Sequence, residues 1–214
     1  MRYILYLIVA ICFQSAYAGS YDEFFSALVR DDGPALRQLV ARGFDPNARD
    51  PNGQPAVTRA LLVDSPLAAL TLVQLPGFDP NALNRAGETP LMMAALKGQQ
   101  AVCEALLERG AALNRDGWTP AHYAAAGNAL PVLQLLLARG AAVDARAPNG
   151  RTPLMMAAQF GSDEVIDTLL AASADAAAKD LYEITAAELA RRAGRASLAG
   201  RLEAAASAGK PSTR

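Results

Sequence analysis

One histidine and two cysteines are all that 214 residues provide of the side chains most used for metal and thiol chemistry. That scarcity excludes a His-rich metal site, a disulfide framework and a Cys/His dyad. An excess of either charge is also missing. With 20 Lys and Arg against 21 Asp and Glu, the net charge of −1 offers no broad basic field for nucleic acid or an anionic membrane, and no acidic tail. There is no glycine-rich phosphate loop and no Ser/His/Asp set beyond chance, so the composition argues against most enzymes. What the chain does have is apolar residues, 52% against 19% charged. They suffice for a sizeable core and exclude disorder over most of the length.

The first 18 residues read as a cleaved signal peptide. Arg2 is the only charge before Asp22, an apolar run spans Tyr3 to Phe13, and Ala16-Tyr17-Ala18 has the small-x-small pattern of a signal-peptidase site. The run is shorter than the roughly 20 residues of a spanning helix, which disfavours a membrane anchor. Cys12 follows Ile11, too large for a lipid-attachment site. Cleavage after Ala18 removes Cys12 and leaves Cys103 alone, so the expected mature chain is exported, free of internal disulfides and free of the membrane.

A repeat occupies the rest. Gly87-Glu88-Thr89-Pro90-Leu91, Gly117-Trp118-Thr119-Pro120-Ala121 and Gly150-Arg151-Thr152-Pro153-Leu154 share one pattern, continued by Met92-Met93-Ala94-Ala95, His122-Tyr123-Ala124-Ala125 and Met155-Met156-Ala157-Ala158. Each leads to a second apolar stretch closing in Leu106-Leu107, Leu136-Leu137 or Leu169-Leu170. Gly110 and Gly140 end two of these stretches, with Ser173 in the third, and Asn114, Asp144 and Asp175 follow. Thr89, Thr119, Thr152 and Thr185 stand 30, 33 and 33 residues apart, a period of about 33. Thr before Pro caps and starts a helix. An Ala-Ala pair lets neighbouring helices approach, and a Leu-Leu pair fills the space between repeats. Gly at the end of the second helix takes a left-handed turn.

These residues resemble the ankyrin repeat family, whose pattern runs Gly-x-Thr-Pro-Leu-His-x-Ala-Ala, then Leu-Leu, Gly-Ala and Asp or Asn. The resemblance implies an all-α solenoid of helix-turn-helix units with projecting finger loops. The expected units are an N-terminal cap at 19–49, a divergent repeat at 50–83, repeats at 84–114, 115–146 and 147–178, a C-terminal cap at 179–206, and a flexible tail at 207–214. No second domain is left over. In the divergent repeat, Pro55 takes the Thr position and Asp64-Ser65-Pro66 separates two helices. In the last unit, Arg191 replaces the second Ala, and Arg192 and Arg195 are expected to add polarity to the terminal face.

His122 sits where the family has a histidine, which implies a structural hydrogen bond between repeats. Asp31-Asp32 and Asp163-Glu164 read as caps in inter-helix turns rather than an acid/base pair. Met92-Met93 and Met155-Met156 read as repeat packing, and Cys103 as a buried hydrophobe. The competing reading is a soft-metal, copper or redox protein using the Met pairs and Cys103. No cofactor is expected.

Binding to another protein remains, and the resemblance implies that it uses the finger tips and the groove of first helices. The positions so assigned are Arg85, Glu88, Arg115, Asp116, Trp118, Arg151 and Phe160. Trp118, the sole tryptophan, is either an aromatic anchor flanked by Arg or a side chain packed against the shorter finger before it. The layout resembles small exported bacterial ankyrin proteins. This implies a non-catalytic periplasmic or secreted monomer, with protection against oxidants, or inhibition of a toxin or effector enzyme, as possible tasks.

Overall fold

The computed structural model describes residues 19–208, and the expected signal peptide lies outside them. Among these residues every regular element is a helix, apart from the isolated bridges Arg49 to Pro55 and Lys179 to Thr185 at the bases of two fingers. The chain divides at Gly87/Glu88, inside a finger loop, into two compact units.

In the first unit, α1 covers 19–29 and α2 Gly33–Ala41, followed by α3 Ala56–Leu62 and α4 Pro66–Gln74. The breaks are local chemistry. Asp31 turns the chain at φ 57°, and Asp32 then caps α2 by accepting from Ala35 N–H at 3.0 Å. Asp64 repeats the left-handed turn at φ 54° before Pro66 opens α4, and Pro55 is the N-cap residue of α3, as its alignment with Thr requires. Phe24, Leu28, Leu36, Leu61 and Leu72 form a fully enclosed core. Asp31 accepts from Ala68 N–H at 2.6 Å, tying the first helix pair to α4. At the finger base, the Arg49 guanidinium donates to Gly53 C=O at 2.9 Å and Leu83 C=O at 2.8 Å, clasping two successive fingers.

In the second unit four helix pairs follow. First helices are α5 Pro90–Leu96, α7 Pro120–Ala126, α9 Pro153–Phe160 and α11 Ala186–Arg192. Second helices are α6 Gln100–Glu108, α8 Leu130–Ala138, α10 Asp163–Ala171 and α12 Ala196–Ala208. Within this unit they stack as in a solenoid: α5 packs on α7, α7 on α9 and α9 on α11, while α8 packs between α6 and α10. Thr89, Thr152 and Thr185 accept from the N–H three residues on, so each helix starts where the Thr signal places it. All six residues of the three Ala-Ala pairs are wholly buried. In each Leu-Leu pair only the first member is: Leu106, Leu136 and Leu169 enter the core, and their neighbours are half-buried. Adjacent residues on a helix lie about 100° apart, so one pair cannot face the same layer twice. Ser173 takes the left-handed turn at φ 67° that Gly110 and Gly140 take in their repeats.

The C-terminal end differs from the expectation at Arg195. Its guanidinium turns inward to the preceding repeat, donating to Gly161 C=O at 2.7 Å, to Ala157 and Ala158 C=O at 3.3 Å each, and to Asp163 at 2.6 Å. The end of a helix leaves its last carbonyls without partners, and a half-buried cation there satisfies several at once. Arg191 and Arg192 are exposed and pair with Glu188. We expect Arg195→Ala to cost about 2 kcal/mol in urea unfolding, against less than about 0.5 kcal/mol for exposed Arg192→Ala. Equal costs would refute the capping role. Helix α12 runs through Ser207 and Ala208, two residues into the segment assigned to the tail, and 209–214 lie outside the described residues.

Candidate functional site

The finger that enters α7 carries Trp118 one residue before the N-cap Thr119. That placement sets the indole over the first turn of its own helix. Its ring meets His122 edge-on at 5.2 Å and Tyr123 at 6.4 Å. Trp118 is half-buried, and with Leu96, His122, Tyr123, Ala126 and Met156 it lines an apolar hollow of about 200 Å³ along α5, α7 and α9. Its packing is thus on α7. An indole held edge-on by two rings is a rigid wall, which suits a hollow that takes one apolar side chain.

His122 forms the floor and has no solvent exposure. Thr119 N–H lies 3.2 Å from Nδ1 and Arg151 C=O 3.0 Å from Nε2. An N–H can only donate and a carbonyl only accept, so Nε2 carries the proton and the ring is neutral. Burial lowers its pKa below 6.5, against a smaller opposing effect of the backbone carbonyls. Tyr123 Oη donates to Glu88 at 2.7 Å, and burial raises the phenol's pKa further above its usual range. Trp118, Tyr123 and Glu88 therefore form one connected group on this face.

Arg151 is placed elsewhere. Its Nη1 donates to Gln159 at 2.8 Å, and its Nε lies 3.6 Å from Oδ2 of the buried Asp180. That guanidinium is committed inside the fold. Arg85 is exposed in the first unit and lies across its own neighbouring finger: a Cβ on Gly53 would come within 2.7 Å of its Nε. Arg115 is half-buried, Asp116 is exposed, and Phe160 closes α9 with 54% of its surface exposed.

Two further residues stand out more than any of these. Leu181 is 72% and Tyr182 75% exposed at the tip of the last described finger. The corresponding tips read Pro51-Asn52, Arg85-Ala86, Arg115-Asp116 and Pro148-Asn149, so a column-by-column comparison of the fingers would have found the apolar pair. The tip is held firmly. Asp180 accepts from Tyr182 N–H at 2.8 Å and Ile184 N–H at 3.0 Å, Leu181 N–H donates to Asn149 C=O at 3.0 Å, and Lys179 pairs with Glu183 at 2.6 Å.

The groups weighed for chemistry are engaged in packing, capping or, at Asp163 in the first turn of α10, ion pairs rather than a cap. Met92 and Met155 are buried, and Met92 Sδ takes the N–H of Thr89 at 3.4 Å, where His122 Nδ1 takes that of Thr119. Cys103 is fully enclosed, and burial pushes its thiol up to about 12, leaving it protonated and inert. Asp32 caps α2, and Asp163 binds Arg195 and Arg201. Among the described residues no group of three His, Cys, Asp or Glu side chains is arranged to hold a metal, and no helix is long and apolar enough to cross a membrane.

Stacked helix pairs, rigid fingers and an apolar seat between first helices define a helical repeat protein of the interaction-module class. The chain belongs to the ankyrin repeat family: the family model for ankyrin repeats matches it in three copies, at residues 24–115, 66–147 and 112–180. No match is found among the curated proteins. Ankyrin repeats are protein–protein interaction modules, in a family that is generally non-enzymatic.

Proposed function

We propose that this chain is an exported, non-catalytic adaptor that binds a protein partner through the fingers and first-helix face of its second unit, seating one apolar partner side chain in the hollow beside Trp118. The observation that carries this reading is the hollow itself, lined by Leu96, Trp118, Tyr123, Ala126 and Met156 over the His122 floor. Rigid aromatic walls around a desolvated seat are where interface energy concentrates. Phe160 and the Leu181–Tyr182 tip extend the apolar surface of the same unit. Export rests on Arg2, the run from Tyr3 to Phe13 and Ala16-Tyr17-Ala18. A role in oxidant protection would run through the partner, because the one thiol left after cleavage is closed off at Cys103.

The test is photo-crosslinking in intact cells from position 118, from position 182 and from Gln134, which is exposed on α8. Capture of one protein from 118 and 182 but not from 134 supports the reading, and its identity decides between a stress-protection partner and a toxin or effector enzyme. Equal or empty capture at all three would sink it.

A further inference from the structure

We propose that His122 makes the Trp118 face acid-sensitive: protonation of this one imidazole releases Trp118 and the finger that follows, and so dismantles the seat on which the partner docks. The proposal rests on the hollow being that seat and adds its regulation. The Thr119 N–H on Nδ1 and the Arg151 C=O at Nε2 fit the neutral ring, Nδ1 accepting and Nε2 donating. A proton on Nδ1 would set a donor against Thr119 N–H and turn it toward Thr119 Oγ1 at 2.9 Å, while the carbonyls of Arg151 and Ala145 already serve the ring. Using Oγ1 takes from the Thr119 N–H, at the start of α7, the acceptor it has in Nδ1.

The carbonyls of Arg151 and Ala145 favour the charged ring, but less than burial opposes it. Helices α5, α8 and α9 carry no titratable side chain, and α7 itself carries only Tyr123 besides His122. Lys97 follows α5. The fingers and turns around the site bring Glu88, Arg115, Asp116, Asp144, Arg146, Arg151 and Asp180. Glu88 accepts from Tyr123, Asp144 from Asp175 N–H, and Asp180 from two finger amides beside Arg151, so these carboxylates are already engaged. Asp116 is exposed on the finger tip. An enclosed imidazolium without a counter-ion leaves its seat for water. When it leaves, it breaks the link to Arg151 C=O in the next finger and removes the ring on which Trp118 leans.

The sign follows from the lowered pKa. Above 6.5 the ring is neutral whether seated or released, and the seat is intact. As pH falls below 6.5 the released ring takes up a proton more readily than the seated one, so each further unit favours the released form up to tenfold until the seated ring's own pKa is reached. In the first and third clear repeats Met92 and Met155 hold the position of His122, which makes His122→Met a substitution the repeat already accepts.

The experiment uses the purified chain alone, which has one tryptophan and one histidine. Trp118 fluorescence and far-UV circular dichroism are followed from pH 8 to pH 5 in wild type and in His122→Met, with the single imidazole followed in parallel by NMR. The expected result is a change in Trp118 emission below pH 6.5 that tracks the imidazole titration, precedes any loss of helix signal, and is absent from the variant. Three outcomes would overturn the proposal: emission flat to pH 5, an equal transition in His122→Met, or emission lost together with helix. None of them involves the partner, so failure here is separate from failure of the crosslinking test.

Discussion

Gly127→Ala is expected to cost at least about 3 kcal/mol and to lower the melting temperature by roughly 10 °C. Gly127 follows α7 at φ −78°, a conformation any residue adopts, so the effect is steric. A Cβ there would lie 2.2 Å from the carbonyl oxygen of Leu96, 2.9 Å from its carbonyl carbon and 3.1 Å from its Cα. These are backbone atoms at the end of α5 and cannot swing aside, so the two first helices must separate. Leu96 and Ala126 line the hollow at this point, and crosslinking from position 118 should fall as well. The comparison is Gly194→Ala. Gly194 has φ +77° and open space around it, so it carries only left-handed strain, about 1 kcal/mol. Denaturant unfolding of the two variants decides the matter. If Gly127→Ala is no worse than Gly194→Ala, the close approach of α5 and α7 is not a constraint on the fold.

Asp180→Ala is expected to cost about 2–4 kcal/mol, with Asp180→Asn at roughly half of that. Asp180 is 4% exposed, and its Oδ1 gathers the N–H groups of Tyr182 and Ile184. Alanine leaves both amides without that acceptor and leaves the Arg151 guanidinium facing an empty site. Asparagine keeps an acceptor for the amides and loses only the charge opposite Arg151. The same change loosens the tip that carries Leu181 and Tyr182. Chymotrypsin should then cut after Tyr182 in Asp180→Ala at concentrations that leave the wild type whole. A variant as stable and as resistant as wild type would show that the finger holds its turn without this carboxylate.

The repeat was legible because its signals are local. Thr-Pro at 89–90, 119–120 and 152–153 starts helices at Pro90, Pro120 and Pro153, and the left-handed turns at Gly110 and Gly140 fall where glycine marks them. Each of these outcomes is decided within four or five residues of the signal. The candidate site was legible in part. Its aromatic centre, Trp118, is visible as an unusual residue in a finger, and the exposed tip at Leu181–Tyr182 is visible once the fingers are compared column by column. Arg151 reads as a finger-tip cation, yet Asp180, 29 residues on, holds it inward. Arg195 reads as a polar side chain on the terminal face, yet it caps a helix whose C-cap residue, Gly161, stands 34 residues earlier.

By itself, then, the sequence determined the helical period, the starts of the Thr-marked first helices, the glycine-marked ends of two second helices, the family, and the poverty of catalytic groups, because backbone capping, turn conformation and side-chain inventory are properties of short stretches of chain. Only the tertiary structure decided which cations are spent inside the fold, that the second Leu of each Leu-Leu pair is only half-buried, that Gly127 is fixed by a carbonyl of the preceding repeat, and that Trp118 and His122 form the wall and floor of one hollow. Those outcomes turn on which atoms of adjacent repeats come within a few ångströms, and the residues concerned stand about one repeat apart in the chain.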